Sequence, residues 1–154
     1  MAARDSGSQL AIVTVWLLDT GPLVAYLDAA DRQHGEVAEL LDGFSGTLVT
    51  SGAVITEAMY FVSTTANGPA LLAELVAASA MRIYDLAQPA ELRAAAKLME
   101  RYADTPMDYA DATLVLLAEA LNVDEILTLD RRGFSTYRTG ARRGFRLVTE
   151  QRDG

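Results

Sequence analysis

One apolar run that stops on a carboxylate constrains this chain more than any other feature. Val13, Val15, Trp16, Leu17 and Leu18 lead into Asp19, and Thr20-Gly21-Pro22 follows at once. β-branched, aromatic and aliphatic side chains without polar alternation read as a strand buried on both faces, the pattern of a parallel sheet. Thr20-Gly21-Pro22 opens a helix, with proline where the first turn tolerates it. Asp19 therefore falls at the carboxyl end of a buried strand, where open α/β sheets bind ligands. It either caps the next helix or binds a cation or donors, because a buried carboxylate needs compensation.

The rest of the 154-residue chain repeats the alternation. A short helix is expected over about 21–27, a second from about Asp31 or His34 to Leu41, and a strand over Thr47–Thr50. Ser51 caps a helix over Gly52–Ser63, and Asn67-Gly68-Pro69 opens another to about Ser79. Arg82–Leu86 reads as a strand and Gln88-Pro89 starts an amphipathic helix to about Tyr102. A helix starts near Thr105-Pro106, Glu125–Asp130 is a short strand, and Phe145–Val148 adds an edge strand. Strands alternating with helices predict a three-layer α/β/α sandwich around a central parallel sheet. Residues 13–150 form a single domain, and residues 1–12 read as a flexible leader. Arg4 followed by Ala11 to Leu18 faintly resembles a signal peptide, but no small-residue cleavage site follows. No apolar run approaches the roughly 20 residues of a membrane span.

The same alternation places further acids. Glu57 is the only charge in the helix after the second strand, which makes it a paired group, a ligand or an exposed residue. Asp108 lies three after Thr105 and reads either as the acid of a capping box or as a ligand. Asp111 lies a turn further in and has no such capping role on this reading. Asp130 ends the last buried strand, as Asp19 ends the first; a cap or an ion pair with Arg131 or Arg132 is its structural alternative. Asp19, Glu57, Asp111 and Asp130 can converge on one edge of the sheet. No cysteine and one histidine, His34, exclude thiolate and multi-histidine sites, leaving a hard cation on carboxylate oxygens. One or two Mg²⁺ ions, with Mn²⁺ as the alternative, would relieve the repulsion and suit phosphodiester hydrolysis. The net charge of −8 argues superficially against nucleic acid, but six of the 13 basic residues fall between Arg131 and Arg146. Arg131, Arg132, Arg142 and Arg143 are the candidate phosphate contacts.

Four segments, Leu18-Asp19-Thr20-Gly21-Pro22-Leu23-Val24-Ala25, Thr56-Glu57-Ala58, Met107-Asp108-Tyr109-Ala110-Asp111-Ala112 and Leu127-Thr128-Leu129-Asp130-Arg131-Arg132-Gly133-Phe134, together resemble a PIN-domain ribonuclease of the VapC toxin type. The resemblance implies a Mg²⁺-dependent endoribonuclease acting in the cytoplasm. It further implies a homodimer inhibited by a cognate VapB-type antitoxin. Asp19, Glu57 and Asp111 would be the core carboxylates, Asp130 the fourth and Asp108 an additional acid. Thr20 and Thr128 would orient metal water or phosphate. The competing readings are a PIN-fold binding module for RNA or protein without cleavage, a haloacid-dehalogenase-type phosphatase, and a receiver domain. The phosphatase would want a second Asp where Gly21 stands and a catalytic lysine. Lys97, the only lysine, is expected on an exposed helix face, and the receiver lacks a lysine after a late strand.

Overall fold

A computed structural model describes residues 13–149; the leader expected over 1–12 lies outside the described residues, as do 150–154. Five strands, β1 (Val15–Leu18), β2 (Thr47–Ser51), β3 (Arg82–Tyr84), β4 (Glu125–Leu127) and β5 (Arg146–Leu147), form one sheet. Its order is β3-β2-β1-β4-β5 and every pairing is parallel. The helices are α1 (Thr20–Leu27), α2 (His34–Asp42), α3 (Gly52–Val62), α4 (Gly68–Ser79), α5 (Pro89–Arg101), α6 (Tyr109–Leu121) and α7 (Arg131–Thr136). Right-handed crossovers put α1–α4 on one face and α5–α7 on the other, the expected α/β/α sandwich.

Leu17 and Leu18 are wholly buried, as an all-apolar central strand requires. The chain leaves β1 toward β2 on one side and returns to its other side as β4. This reversal is the topological switch point, and it opens a crevice at the carboxyl ends of β1 and β4. The Asp19 N–H donates to the Leu127 carbonyl at 3.1 Å and ties the two strand ends together there.

Two boundaries differ from the sequence expectation. Helix α6 begins at Tyr109 rather than near Pro106. The Pro106 carbonyl, which a helix would have turned inward, instead accepts from the Tyr137 hydroxyl at 2.8 Å. The capping box therefore moves by three residues: Asp108 is the cap and Asp111 is the acid that closes it. Strand β4 also ends three residues before Asp130, because Thr128 turns the chain by accepting the Asp130 N–H at 3.0 Å.

The α3–α4 turn depends on one glycine. A Cβ on Gly68 would stand 2.0 Å from the Val62 carbonyl oxygen, and that oxygen already accepts from Thr65 N–H at 3.1 Å and Thr65 Oγ1 at 2.7 Å. Backbone cannot yield as a side-chain tip can, so Gly68→Ala is expected to cost roughly 2–4 kcal/mol of stability. Chemical denaturation of the variant beside wild type measures this directly.

Candidate active site

Asp19 reaches the crevice because β1 carries it there, and its two oxygens are held separately. Oδ1 accepts from the Thr20 N–H at 2.8 Å and Oδ2 from the Thr128 hydroxyl at 2.6 Å. Asp108 and Asp111 cap α6 reciprocally: Asp111 N–H donates to Asp108 Oδ1 at 2.8 Å and Asp108 N–H to Asp111 Oδ2 at 3.1 Å. Asp130 caps α7, accepting the Gly133 N–H at 3.0 Å. A Cβ on Gly133 would stand 2.3 Å from Asp130 Oδ2, so any larger residue there would push that carboxylate aside. Glu57 comes from the second turn of α3, which Ser51 caps by accepting the Val54 N–H at 3.2 Å. Below the site, the Ser51 hydroxyl bonds that of Thr113 at 2.7 Å and joins α3 to α6.

These residues line one open groove of about 570 Å³, walled by Asp19, Thr20, Glu57, Asp108, Asp111 and Asp130, together with Asp31, Gln33 and Phe61. Three helices point their N-termini into it, and their dipoles offset part of the negative charge. Compensation is incomplete. Burial pushes the Asp19 carboxyl up to about 6; its hydrogen bonds from Thr128 and Thr20 restrain the rise, and the charges of Asp108 and Asp130 add to it. Burial also drives Asp111 up to about 8, with Asp19 and Asp108 repelling its charge. Glu57 is raised by burial and by Asp108 beside it. Tyr137, behind the acids, has its phenol pushed up by burial and then by the charges of Asp111 and Asp130, so it remains a hydrogen-bond donor. The buried Thr20 hydroxyl faces Glu57 closely enough to favour its charge. It does not meet hydrogen-bond geometry, and so remains short of a partner.

Every acid singled out in the sequence thus reaches the groove, and Thr20 with them, whereas Thr128 stays wholly buried and touches the site only through its bond to Asp19. Among the described residues, no three acidic or histidine side chains already stand as ligands around one point. The arginines divide. Arg131 and Arg132 open α7 directly after Asp130. Arg143 instead pairs with Asp124 at 3.2 Å and with Asn122, at the opposite end of β4. Arg142, in the tight turn before it, shares that location. The parallel pairing of β5 with β4 forces this, because the loop must return to the amino end of β4 before β5 begins. Lys97 is exposed on α5 and lines no part of the groove, so the phosphatase alternative lacks its lysine. Asp31, Gln33 and Phe61 were not singled out in the sequence. Phe61 carried a signal, since it lies four residues after Glu57 and shares its helix face.

A parallel α/β/α sandwich with acids gathered at the β1/β4 switch point is the architecture of a PIN domain. The PIN-domain family model matches residues 16–139, and the chain belongs to that family. Within it the chain is of the VapC type. It is 39% identical over 124 residues to ribonuclease VapC26 of Mycobacterium tuberculosis, covering 79% of this chain and 91% of that protein. The fold also matches M. tuberculosis VapC20, a toxin described as cleaving the sarcin-ricin loop, with a TM-score of 0.68 and 18% identity over 77% of this chain and 91% of that one. The DNA-bound VapBC of Salmonella typhimurium matches with a TM-score of 0.55 and 16% identity over 88% of this chain and 97% of that one. VapBC2 of Rickettsia felis, bound to a promoter DNA fragment, gives 0.52 and 18%, covering 75% and 86%.

Proposed function

We propose that this chain is a Mg²⁺-dependent endoribonuclease, the toxin of a type II toxin–antitoxin pair, hydrolysing RNA phosphodiester bonds in the acid-lined groove. The observation that carries this reading is the convergence of Asp19, Glu57, Asp108, Asp111 and Asp130, from separate parts of the chain, on one groove with no basic residue among its described walls. Burial, with repulsion among the acids added to it, drives two carboxyls up to about 6 and about 8, and a divalent cation would relieve both. The donors are all oxygens, the preference of Mg²⁺ and Mn²⁺, and the unpartnered Thr20 hydroxyl adds another. When bound, the metal supplies a water of lowered pKa and polarises the phosphoryl group.

Asp19, Glu57 and Asp111 would hold the cation, with Asp130 and Asp108 at its periphery. Thr128 fixes the Asp19 carboxylate through the 2.6 Å bond, so one oxygen keeps its direction while the site fills. Arg131 and Arg132, which open α7 directly after Asp130, would hold flanking phosphates. The two VapBC neighbours support a VapB-type antitoxin as partner. A homodimer and a cytoplasmic location complete the reading. Among the described residues no helix is long and apolar enough to cross a membrane.

The test is cleavage of total RNA by purified protein in Mg²⁺ and in EDTA, with cut sites mapped. Discrete cuts in Mg²⁺ that vanish in EDTA support the reading; intact RNA in both rejects it. The arginines make a second prediction. Arg131→Ala is expected to reduce the slope of log affinity for RNA against log salt by about one, whereas Arg143→Ala leaves it unchanged. RNA binding titrated over a salt series separates the two.

A further inference from the structure

Phe61 is an unusual wall for an acid-lined groove. Its neighbours Val54, Ala58 and Val62 on α3 are buried, yet its ring is 54% exposed. It shares the groove with Glu57 one turn earlier, and the Tyr60 ring meets it edge-on at 5.6 Å and 70°. The α1–α2 loop contributes Asp31 and Gln33 to the same groove. Asp31 spends Oδ1 on the Gln33 N–H at 2.8 Å, which leaves Oδ2 and the Gln33 side-chain amide for a ligand.

A phosphate does not suit this part of the groove, because Asp31 repels it and no described wall residue is basic. A nucleobase does. Its face stacks on an aromatic ring, and its amino or imino N–H groups donate to a carboxylate or amide. The geometry points to a nucleobase subsite in which Phe61 stacks an unpaired RNA base beside the scissile phosphate while Gln33 and Asp31 meet the base edge. This rests on the ribonuclease reading of the same groove and extends it to single-stranded RNA, whose bases are free to leave the strand. Phe61 and Gln33 bind here; neither takes part in the chemistry.

The test is binding of fluorescent hexaribonucleotides A6, C6, G6 and U6, and of an abasic hexamer of ribose phosphates, with Ca²⁺ in place of Mg²⁺. Wild type is expected to bind at least one base-bearing hexamer about ten-fold or more tighter than the abasic one. Phe61→Leu loses that ratio, Phe61→Tyr keeps it, and Gln33→Ala alters the order among the four bases. Matching thermal melts establish that the variants are folded. Wild type that binds abasic and base-bearing hexamers alike, or binds none, overturns the subsite, as does a ratio that survives in Phe61→Leu. If Phe61→Leu weakens capture of the antitoxin but leaves the ratio intact, the ring serves a protein surface and the proposal fails. Cleavage of total RNA by wild type is scored separately. Cleavage without a Phe61 effect rejects the subsite alone, and base-dependent binding without cleavage rejects hydrolysis alone.

Discussion

Asp19→Asn is expected to slow RNA cleavage by more than about 100-fold while leaving the chain folded. Residues that merely orient a metal ligand cost about 10–100-fold when removed, and Asp19 stands closer to the chemistry than that. It is the most buried of the groove acids, 7% exposed, with both oxygens already directed by Thr20 and Thr128. Asparagine keeps an acceptor for the Thr20 N–H and an amide for the Thr128 hydroxyl, so the fold has no reason to collapse. Metal-free, the variant should be more stable than wild type. Raising a carboxyl from 3.8 to about 6 makes the folded state disfavour its charge by about 3 kcal/mol above that pH. Removing the charge recovers up to that amount at pH 8 in EDTA. Single-turnover cleavage and urea melts on one protein preparation measure both halves. Wild-type cleavage by Asp19→Asn would remove the residue from the mechanism.

The second large effect is on the pH dependence of the metal-free protein. Asp19 and Asp111 hold their protons to higher pH folded than unfolded. Between the two pKa values the native state binds more protons, so stability falls as pH rises. The favourable contribution is complete below about pH 4. It is lost as pH passes about 6 for Asp19 and about 8 for Asp111, and Glu57 is shifted the same way. The Asp19 part is on the order of 3 kcal/mol, and that of the partly exposed Asp111 is smaller for its shift because solvent screens it. Denaturant melts in EDTA from pH 4 to 8.5 should therefore show declining stability, and Mg²⁺ should restore it most at the alkaline end. A flat profile would mean that the acids do not burden one another as their placement implies.

The layered fold was readable because its strands are short, apolar and punctuated. Leu17-Leu18-Asp19 marks a buried strand and its exit, and Ile126-Leu127 marks another, whose early exit at Thr128 is masked by the apolar Leu129; the switch point depends on the strand order, which the alternation alone leaves open. The acids were readable for the same reason: carboxylates in apolar surroundings have few stable alternatives. The α6 start was misread because Thr105-Pro106 obeys every local rule for a helix opening. The deciding contact comes from Tyr137, 31 residues later, which takes the Pro106 carbonyl. Local rules cannot register such a competitor. The arginine cluster misled in another way. Charges adjacent in sequence need not share a location, and the β4–β5 pairing sends Arg142 and Arg143 to the far end of the sheet from Arg131. Phe61 disappeared into a helix apolar nearly all round, where only three dimensions separate an exposed ring from a buried one.

Titrating Mg²⁺ into metal-free protein by calorimetry, in buffers of different ionisation enthalpy, probes the central claim most directly. A cation held by the raised carboxyls must displace their protons. Between pH 6 and 7.5 the binding heat should depend on the buffer and report net proton release, and both should fade in Asp19→Asn and Asp111→Asn. Mg²⁺ that gives no heat, or a heat that neither buffer nor substitution alters, would contradict the account.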